Sequence, residues 1–189
     1  MRSLEAIRVD PFLRNLPRQQ IVIVGSVTLA LYKDMAGIDK AERYLRIDDL
    51  DLCIEGANYN SLFRRSKPKG RTSVRRPWAQ NAYRGVETLR REHRVNGLKR
   101  PVQLDVGSSV FTWSHDQLLP DALEYNGYSV LSPFRQLAWY GALGRKKDDI
   151  KIEMLRELII PTLADSPDLT LPVPVELQCL AQDVLGRAA

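Results

Sequence analysis

Four consecutive β-branched residues, Ile21, Val22, Ile23 and Val24, run directly into Gly25-Ser26, and Val27, Leu29, Ala30, Leu31 and Tyr32 follow as an apolar helical stretch. A β-branched run is stiff at χ1 and favours extended backbone, while a glycine at its end permits a tight turn. The segment reads as strand, turn, helix. Two more short apolar runs close on glycine in the same way: Leu50 to Ile54, entered through Asp48-Asp49 and left at Gly56, and Val102 to Val106, ending at Gly107-Ser108. Short strands of this kind alternating with helical stretches predict an α/β (α+β) fold, a small mixed β-sheet flanked by helices. With 189 residues, 44% of them hydrophobic, the chain can bury a real core, which excludes a disordered or collagen-like protein.

Beyond Trp113 the pattern changes. Tyr125 to Leu131 reads as a short strand, and Ser132-Pro133 as a helix start, with a side-chain acceptor at the cap and proline in the first turn. Phe134, Leu137, Ala138 and Gly141 share one helical stripe; Ile150, Met154, Leu155, Leu158 and Ile159 share a second, which Pro161 is expected to stop. A proline-rich connector, Pro161 to Pro174, leads to an amphipathic helix, Val175 to Leu185, expected to dock on the core. The division is therefore residues 1–120 as an α/β core and 121–189 as a mainly helical C-terminal part packed on it. No apolar run approaches the roughly 18 to 20 residues of a membrane span, and the start of the chain lacks the apolar core of a secretory signal, so a cytoplasmic protein with no membrane partner is expected. Cys53 and Cys179 read as buried thiols, too few for a disulfide framework.

Charge is unevenly placed. Residues 64–100 hold 13 Lys/Arg against Glu87 and Glu92, a local net of +11, whereas the whole chain carries +5. Arg64, Arg65, Lys67, Lys69, Arg71, Arg75 and Arg76 lead this basic insertion, with Pro68, Gly70, Pro77, Trp78 and Tyr83 interleaved. Such a concentration points to a polyanion, nucleic acid or nucleotide phosphates, the bland alternative being a solvated loop. Its first half, Arg64 to Trp78, reads as loop; Asn81 to Val95 suits either a hairpin or a helix.

Asp49 and Asp51 lie two apart on a strand, so the period of two points both to one face. Asp105, between Leu104 and Val106 on another strand, completes a trio of carboxylates if the strands are neighbours. Three such groups repel one another unless a cation sits among them, and Mg²⁺, a hard ion that prefers oxygen ligands, suits them. Two ions about 3.5 to 4 Å apart would serve phosphoryl or nucleotidyl transfer. Gly25-Ser26, at a strand end and a helix N-terminus, offers backbone N–H groups and a hydroxyl to phosphate oxygens. His93 and His115 have no partner motif and read as surface or polar-core residues; Trp78, Tyr83 and Trp113 could stack on a base, although core or rim packing is the commoner fate of such residues.

Taken in order, the apolar strand, Gly25-Ser26, the helix, Asp49-Leu50-Asp51-Leu52 and Leu104-Asp105-Val106 resemble the nucleotidyltransferase superfamily with the DNA polymerase β-like core, over about residues 20–107. The stretch from Leu137 through Arg145, Lys146, Lys147 and Asp148 is similar to the AbiEii-type nucleotidyltransferase toxins of toxin–antitoxin systems. Two departures stand out: Ser26 and Asp49 are 22 residues apart, implying an inserted loop around Lys33 to Arg46, and the family's helix lysine is replaced near Trp139 or Tyr140. The resemblance implies that Asp49 and Asp51 coordinate two Mg²⁺ ions, with Mn²⁺ able to substitute, and that Asp105 binds the catalytic ion and helps activate the attacking hydroxyl. Gly25 and Ser26 would grip the β- and γ-phosphates, and Arg46, Arg145, Lys146 and Lys147 would supply nucleotide-binding cations.

The expected function is Mg²⁺-dependent transfer of a nucleoside monophosphate from an NTP such as ATP to an acceptor. RNA, tRNA above all, is preferred because the basic insertion leaves the sheet between the second and third acidic strands. A toxin would have a cognate antitoxin as partner. The alternatives are a small-molecule, antibiotic-type nucleotidyltransferase, whose cationic acceptors would prefer an acidic wall, and a non-catalytic nucleic-acid-binding module on the same fold.

Overall fold

The computed structural model describes residues 4–38, 49–66, 79–83 and 86–186. A first turn of helix, α1 (Glu5–Val9), leads to β1 (Ile21–Val24), α2 (Val27–Met35), β2 (Asp49–Ile54) and α3 (Gly56–Ser66). The hairpin β3 (Ala79–Tyr83) and β4 (Val86–His93) precedes β5 (Val102–Gly107), a small ribbon β6 (Ser109–Val110) and β7 (Trp113–Ser114), and α4 (His115–Leu118). A second hairpin, β8 (Leu123–Tyr125) and β9 (Tyr128–Val130), is followed by α5 (Pro133–Leu143), α6 (Asp149–Met154), α7 (Ile160–Ala164) and α8 (Gln178–Leu185).

Seven strands form one mixed sheet in the order β3-β4-β5-β2-β1-β9-β8, which is the α/β architecture expected, with helices packed on it. β2 and β5 are parallel neighbours, β1 is antiparallel to β2 and parallel to β9, and both hairpins are antiparallel. A parallel pair needs a crossover, and α3 with the β3–β4 hairpin supplies it between β2 and β5. The basic insertion is thus built into one edge of the sheet.

Strand alternation divides the apolar residues between two cores. Ile21, Ile23, Leu50, Leu52, Ile54, Val102, Leu104 and Val106 face the larger, shared with Leu29, Leu31 and Tyr32 of α2, Phe134 and Leu137 of α5, and Leu155, Ile159, Ile160 and Leu163. Val22, Val24 and Cys53 face the smaller, which holds Val110, Trp113, Leu118 and Leu131. Each fully buried aliphatic side chain contributes roughly 1.5–3 kcal/mol relative to exposure, so the sheet is held from both faces. The same alternation leaves Asp49, Asp51 and Asp105 on the face of the smaller core, beyond its apolar end.

Several expectations change. The stretch read as one strand from Tyr125 to Leu131 is a hairpin, because Asn126 and Gly127 take φ of +52° and +80° and reverse the chain in two residues. It adds β8 and β9 to the sheet of the N-terminal part, so the sheet runs across the division at residue 120. Residues 56–66 form a helix, unassigned from the sequence as far as residue 63; Arg64 and Arg65, expected to open a loop running to Trp78, lie instead on its last turn, and the rest of that loop, residues 67–78, falls outside the described residues. Asn81 to Val95 resolves in favour of the hairpin. Lys33, assigned to an inserted loop, is a buried residue of α2.

The C-terminal helices also differ in detail. On α5 Gly141 is exposed, and Phe134, Leu137, Tyr140 and Leu143 are buried together with Pro133, Arg135 and Gln136 of its first turn. Ser132 makes no side-chain cap; its hydroxyl is buried without a partner among the described residues, and its carbonyl accepts the Gln136 N–H at 2.9 Å. Pro161 does not stop the second helix. Leu155–Ile159 widen into a π turn, and the helix continues through Pro161 as α7. Ile150 and Leu158, placed on the buried stripe by the sequence, are 60% and 42% exposed. α8 docks on the core through Ala181 and Val184, while Cys179 on it is exposed and only Cys53 is a buried thiol. No helix among the described residues is long and apolar enough to cross a membrane.

Candidate active site

Register decides the centre of the site. Asp51 on β2 is the Cα partner of Val24 on β1 and of Asp105 on β5, and Asp105 is the partner of Arg90 on β4. Val24, Asp51, Asp105 and Arg90 therefore form one row across four strands, on one face of the sheet. Asp49 sits two residues along β2, opposite Gln103. The neighbouring strands that the sequence reading required for its carboxylate trio are present.

At the end of β1 the chain turns at Gly25 with φ of +77°, a left-handed conformation natural to glycine. A Cβ there would stand 2.1 Å from Asp51 Oδ2, so the absence of a side chain is what lets the turn lie against the carboxylate. Thr28 Oγ1 donates to the Gly25 carbonyl at 2.7 Å and pins the turn to the first turn of α2. Ser26 occupies the N-cap of α2 without capping it, and its side chain lines the same cleft as Asp51.

That cleft has a volume of about 550 Å³. On the sheet side Gly25, Ser26, Asp49, Asp51, Thr88, Arg90, Gln103 and Asp105 line it; on the helical side Trp139, Tyr140, Leu143, Arg145, Lys147 and Lys151; at the β6–β7 ribbon Ser109, Val110, Phe111 and Thr112. Residues distant in sequence are thus gathered, and Gly25, Ser26, Asp49, Asp51, Asp105, Arg145 and Lys147 of the candidates named from the sequence are among them. Lys146 is exposed and does not line the cleft. Arg46, Lys67, Lys69, Arg71, Arg75 and Arg76 lie outside the described residues.

The carboxylates differ sharply in surroundings. Burial, then the neighbouring charge of Asp105 and then that of Asp49, push Asp51 up to about 7, only partly offset by Arg90 and Lys151. Asp105, 8% exposed, accepts from Arg90 Nε at 2.8 Å and Nη2 at 3.0 Å, and from Gln103 Nε2 at 2.9 Å. The third carboxylate thus already has a cation, contributed by a residue the sequence reading counted only as part of the basic run. Among the described residues no three His, Cys, Asp or Glu side chains are gathered as a preformed metal site. The acidic donors nonetheless suit a hard cation: burial and then the charges of Asp105 and Asp49 raise the Asp51 pKa, and Asp49, Asp51 and Asp105 offer carboxylate oxygens.

Two of the cations on the helical side, Arg145 and Lys151, are organised by one buried acid. Asp148, fully buried, bonds Arg145 through Oδ2 and Lys151 through Oδ1 at 3.0 Å, and the Lys151 ammonium lies 5.0 Å from the centre of the Tyr140 ring. Asp148 and Arg145 belong to the motif-like stretch read from the sequence; Lys151 is added by the fold, since α6 begins at Asp149 and i,i+3 spacing brings it back over Asp148. Tyr140 Oη is buried without a hydrogen-bond partner among the described residues, and burial raises the pKa of its hydroxyl.

Both histidines are structural. His93 Nε2 meets buried Asp10 at 2.9 Å on the opposite face of the sheet, and His115 Nε2 lies 2.9 Å from the Gln20 carbonyl. Trp113 packs in the smaller core beneath the Arg135 guanidinium, 4.9 Å from its ring centre. Arg64 is exposed on α3, and Arg94, Lys99 and Arg100 are exposed around the β4–β5 connection. No protein-family model, no curated protein and no solved structure matches the chain.

Proposed function

We propose that this protein is a divalent-metal-dependent nucleotidyltransferase, moving a nucleoside monophosphate from an NTP to an RNA acceptor with pyrophosphate as the leaving group. The observation that carries the reading is the meeting of Asp49, Asp51 and Asp105 with a side-chain-free turn at Gly25 and with Arg145, Lys147 and Lys151 in one 550 Å³ cleft. An acidic group beside a cationic group in one cavity suits a ligand that is polyanionic and carries its own cation, as a magnesium nucleotide does.

Asp49, Asp51 and Asp105 are the residues that would hold the metal, with Arg90 sharing Asp105. When bound, Mg²⁺ would neutralise charge building on the α-phosphoryl group and the departing pyrophosphate, and make the acceptor hydroxyl more acidic. Arg145, Lys147 and Lys151 take the triphosphate oxygens, and the Gly25–Ser26 turn admits a phosphate close to the backbone at the start of α2. As the acceptor oxygen bonds to the α-phosphorus, the bond from that phosphorus to the bridging oxygen of the β-phosphate breaks. The acceptor proton passes to the aspartate row. Fixed cations on Asp148 need no reorganisation as charge develops, which is where such a site derives its rate.

RNA is favoured as acceptor because the insertion between β2 and β5 carries exposed Arg64, Arg94, Lys99 and Arg100 next to the two strands that bear the aspartates. A nucleotidyltransferase toxin, with a protein antitoxin as partner, is a setting that fits this chemistry. The test is incubation with Mg²⁺, each α-³²P-labelled NTP and total tRNA, with the Asp49→Ala/Asp51→Ala variant as control. Label on tRNA with the wild-type chain alone is the expected result; no label on any acceptor, at a protein concentration where the fold is verified, overturns the reading. Label on an added aminoglycoside instead of RNA would keep the chemistry and replace the acceptor.

A further inference from the structure

Phe111 combines three properties that packing does not explain. It lines the cleft, its side chain is among the large hydrophobics left exposed, at 43%, and its backbone has φ of +56°. It occupies the first position of the two-residue connection between β6 and β7, where a left-handed residue is normally glycine, asparagine or aspartate. Asn126, the other non-glycine residue with positive φ among the described residues, follows that preference; Phe111 does not. A bulky side chain at such a position is a conformational outlier, and outliers of this kind concentrate where a ligand is held.

The ring is also braced. Phe111 meets Trp113 at 5.5 Å between ring centres with planes at 68°, and the other neighbours of Trp113 include the Arg135 guanidinium. Arg135 is itself fixed by buried Asp121, 2.8 Å from Nε, and by Glu176 at 2.7 Å. An aromatic ring fixed from behind and open in front loses little conformational freedom when a flat ligand covers it. The ribbon follows directly on β5, the strand of Asp105, and Phe111 lines the same cleft as the aspartates.

Building on the nucleotidyltransferase reading, we infer that Phe111 is the platform on which the base of the bound nucleotide stacks. Stacking on an aromatic face tolerates any base and adds affinity that the phosphates do not supply. The site would then read the nucleotide in two parts, the triphosphate on the Arg145, Lys147 and Lys151 cations and the base on Phe111.

Phe111→Gly separates the function of the ring from the fold, since glycine adopts the same φ without strain; Phe111→Asn is a second variant that tolerates left-handed backbone and also lacks the ring. Binding of the α,β-methylene analogue of each NTP with Mg²⁺, and of inorganic tripolyphosphate with Mg²⁺, is measured by calorimetry on the full chain, with melting temperatures in parallel. Both variants should keep the wild-type fold, melting only modestly lower for the lost Trp113 contact, and bind the NTP analogues about 5- to 100-fold more weakly, with tripolyphosphate unchanged, and Phe111→Tyr should restore nucleotide binding. NTP-analogue affinity within twofold of the wild type, or an equal loss for tripolyphosphate, overturns the platform while leaving the proposed reaction standing. A wild-type chain that binds neither ligand overturns both.

Discussion

Replacing Asp51 by asparagine removes a carboxylate that the fold tolerates poorly. Its pKa moves from 3.8 to about 7, first through burial and then through Asp105 and Asp49, so the folded chain holds this proton more tightly than the unfolded chain does. The sign follows from linkage: near pH 4 and below, both states are protonated and the group contributes nothing, whereas stability falls as pH rises from about 4 to about 7 and the loss is complete above that. At ~1.36 kcal/mol per pH unit, the interval between the two values corresponds to about 4 kcal/mol, and the remaining contact of Asp51 with water reduces this to roughly 2–4 kcal/mol. Asparagine resembles the protonated acid, so Asp51→Asn should be as stable as the wild type at pH 4 and more stable by that amount at pH 8. Urea unfolding across pH 4 to 8 without divalent ions measures it. Added Mg²⁺ should then stabilise the wild type at pH 8 and not the variant. A gain independent of pH, or a loss at pH 8, would refute the account of a carboxylate held short of positive charge.

Other consequences are local. Gly25→Ala sets a Cβ 2.1 Å from Asp51 Oδ2 on a backbone at φ of +77°, and should cost ~1–3 kcal/mol in thermal unfolding and abolish nucleotidyl transfer. Asp148→Asn releases Arg145 and Lys151, and should weaken tripolyphosphate binding by about tenfold in calorimetry, the scale of a lost charged contact. Asp10 is buried, which by itself would raise its pKa, but His93, the Leu13 and Phe12 amides and Arg91 outweigh burial and hold it below 3.8. Its contribution is therefore present above pH 4 and lost as pH falls through the lower folded value, and Asp10→Ala should cost ~3–5 kcal/mol at pH 7 and less at pH 3 by chemical denaturation. A thiol reagent should modify Cys179 in the native chain and reach Cys53, whose thiol burial raises to about 12, only after unfolding.

How far the site was legible depended on how local its cause was. Asp49 and Asp51 share a face because strand side chains alternate, a rule that needs nothing beyond their spacing, and Gly25-Ser26 turns because a β-branched run ends there. Lys151 was not legible: its value lies in returning over Asp148 after a turn, and an isolated lysine in an amphipathic helix has no signal of its own. Phe111 was not legible: nothing in Val110-Phe111-Thr112-Trp113 says that the chain will reverse within it. The Asn126-Gly127 dipeptide was a readable turn signal inside the stretch taken as one strand.

The sequence by itself determined the short apolar strands, the acids on one face of them, the glycine turn before α2, and the concentration of positive charge in residues 64–100. These are consequences of side-chain period and backbone preference within a few neighbouring residues. Strand order and register were decided by tertiary structure alone, because pairing β2 with both β1 and β5 satisfies hydrogen bonds and buries two apolar faces between residues 27 to 54 positions apart. That register set Asp51 beside Asp105, and it set Arg90 on Asp105. The same long-range packing carried α5 and α6 over the sheet, so that three cations the chain holds far from its aspartates came to line one cleft with them.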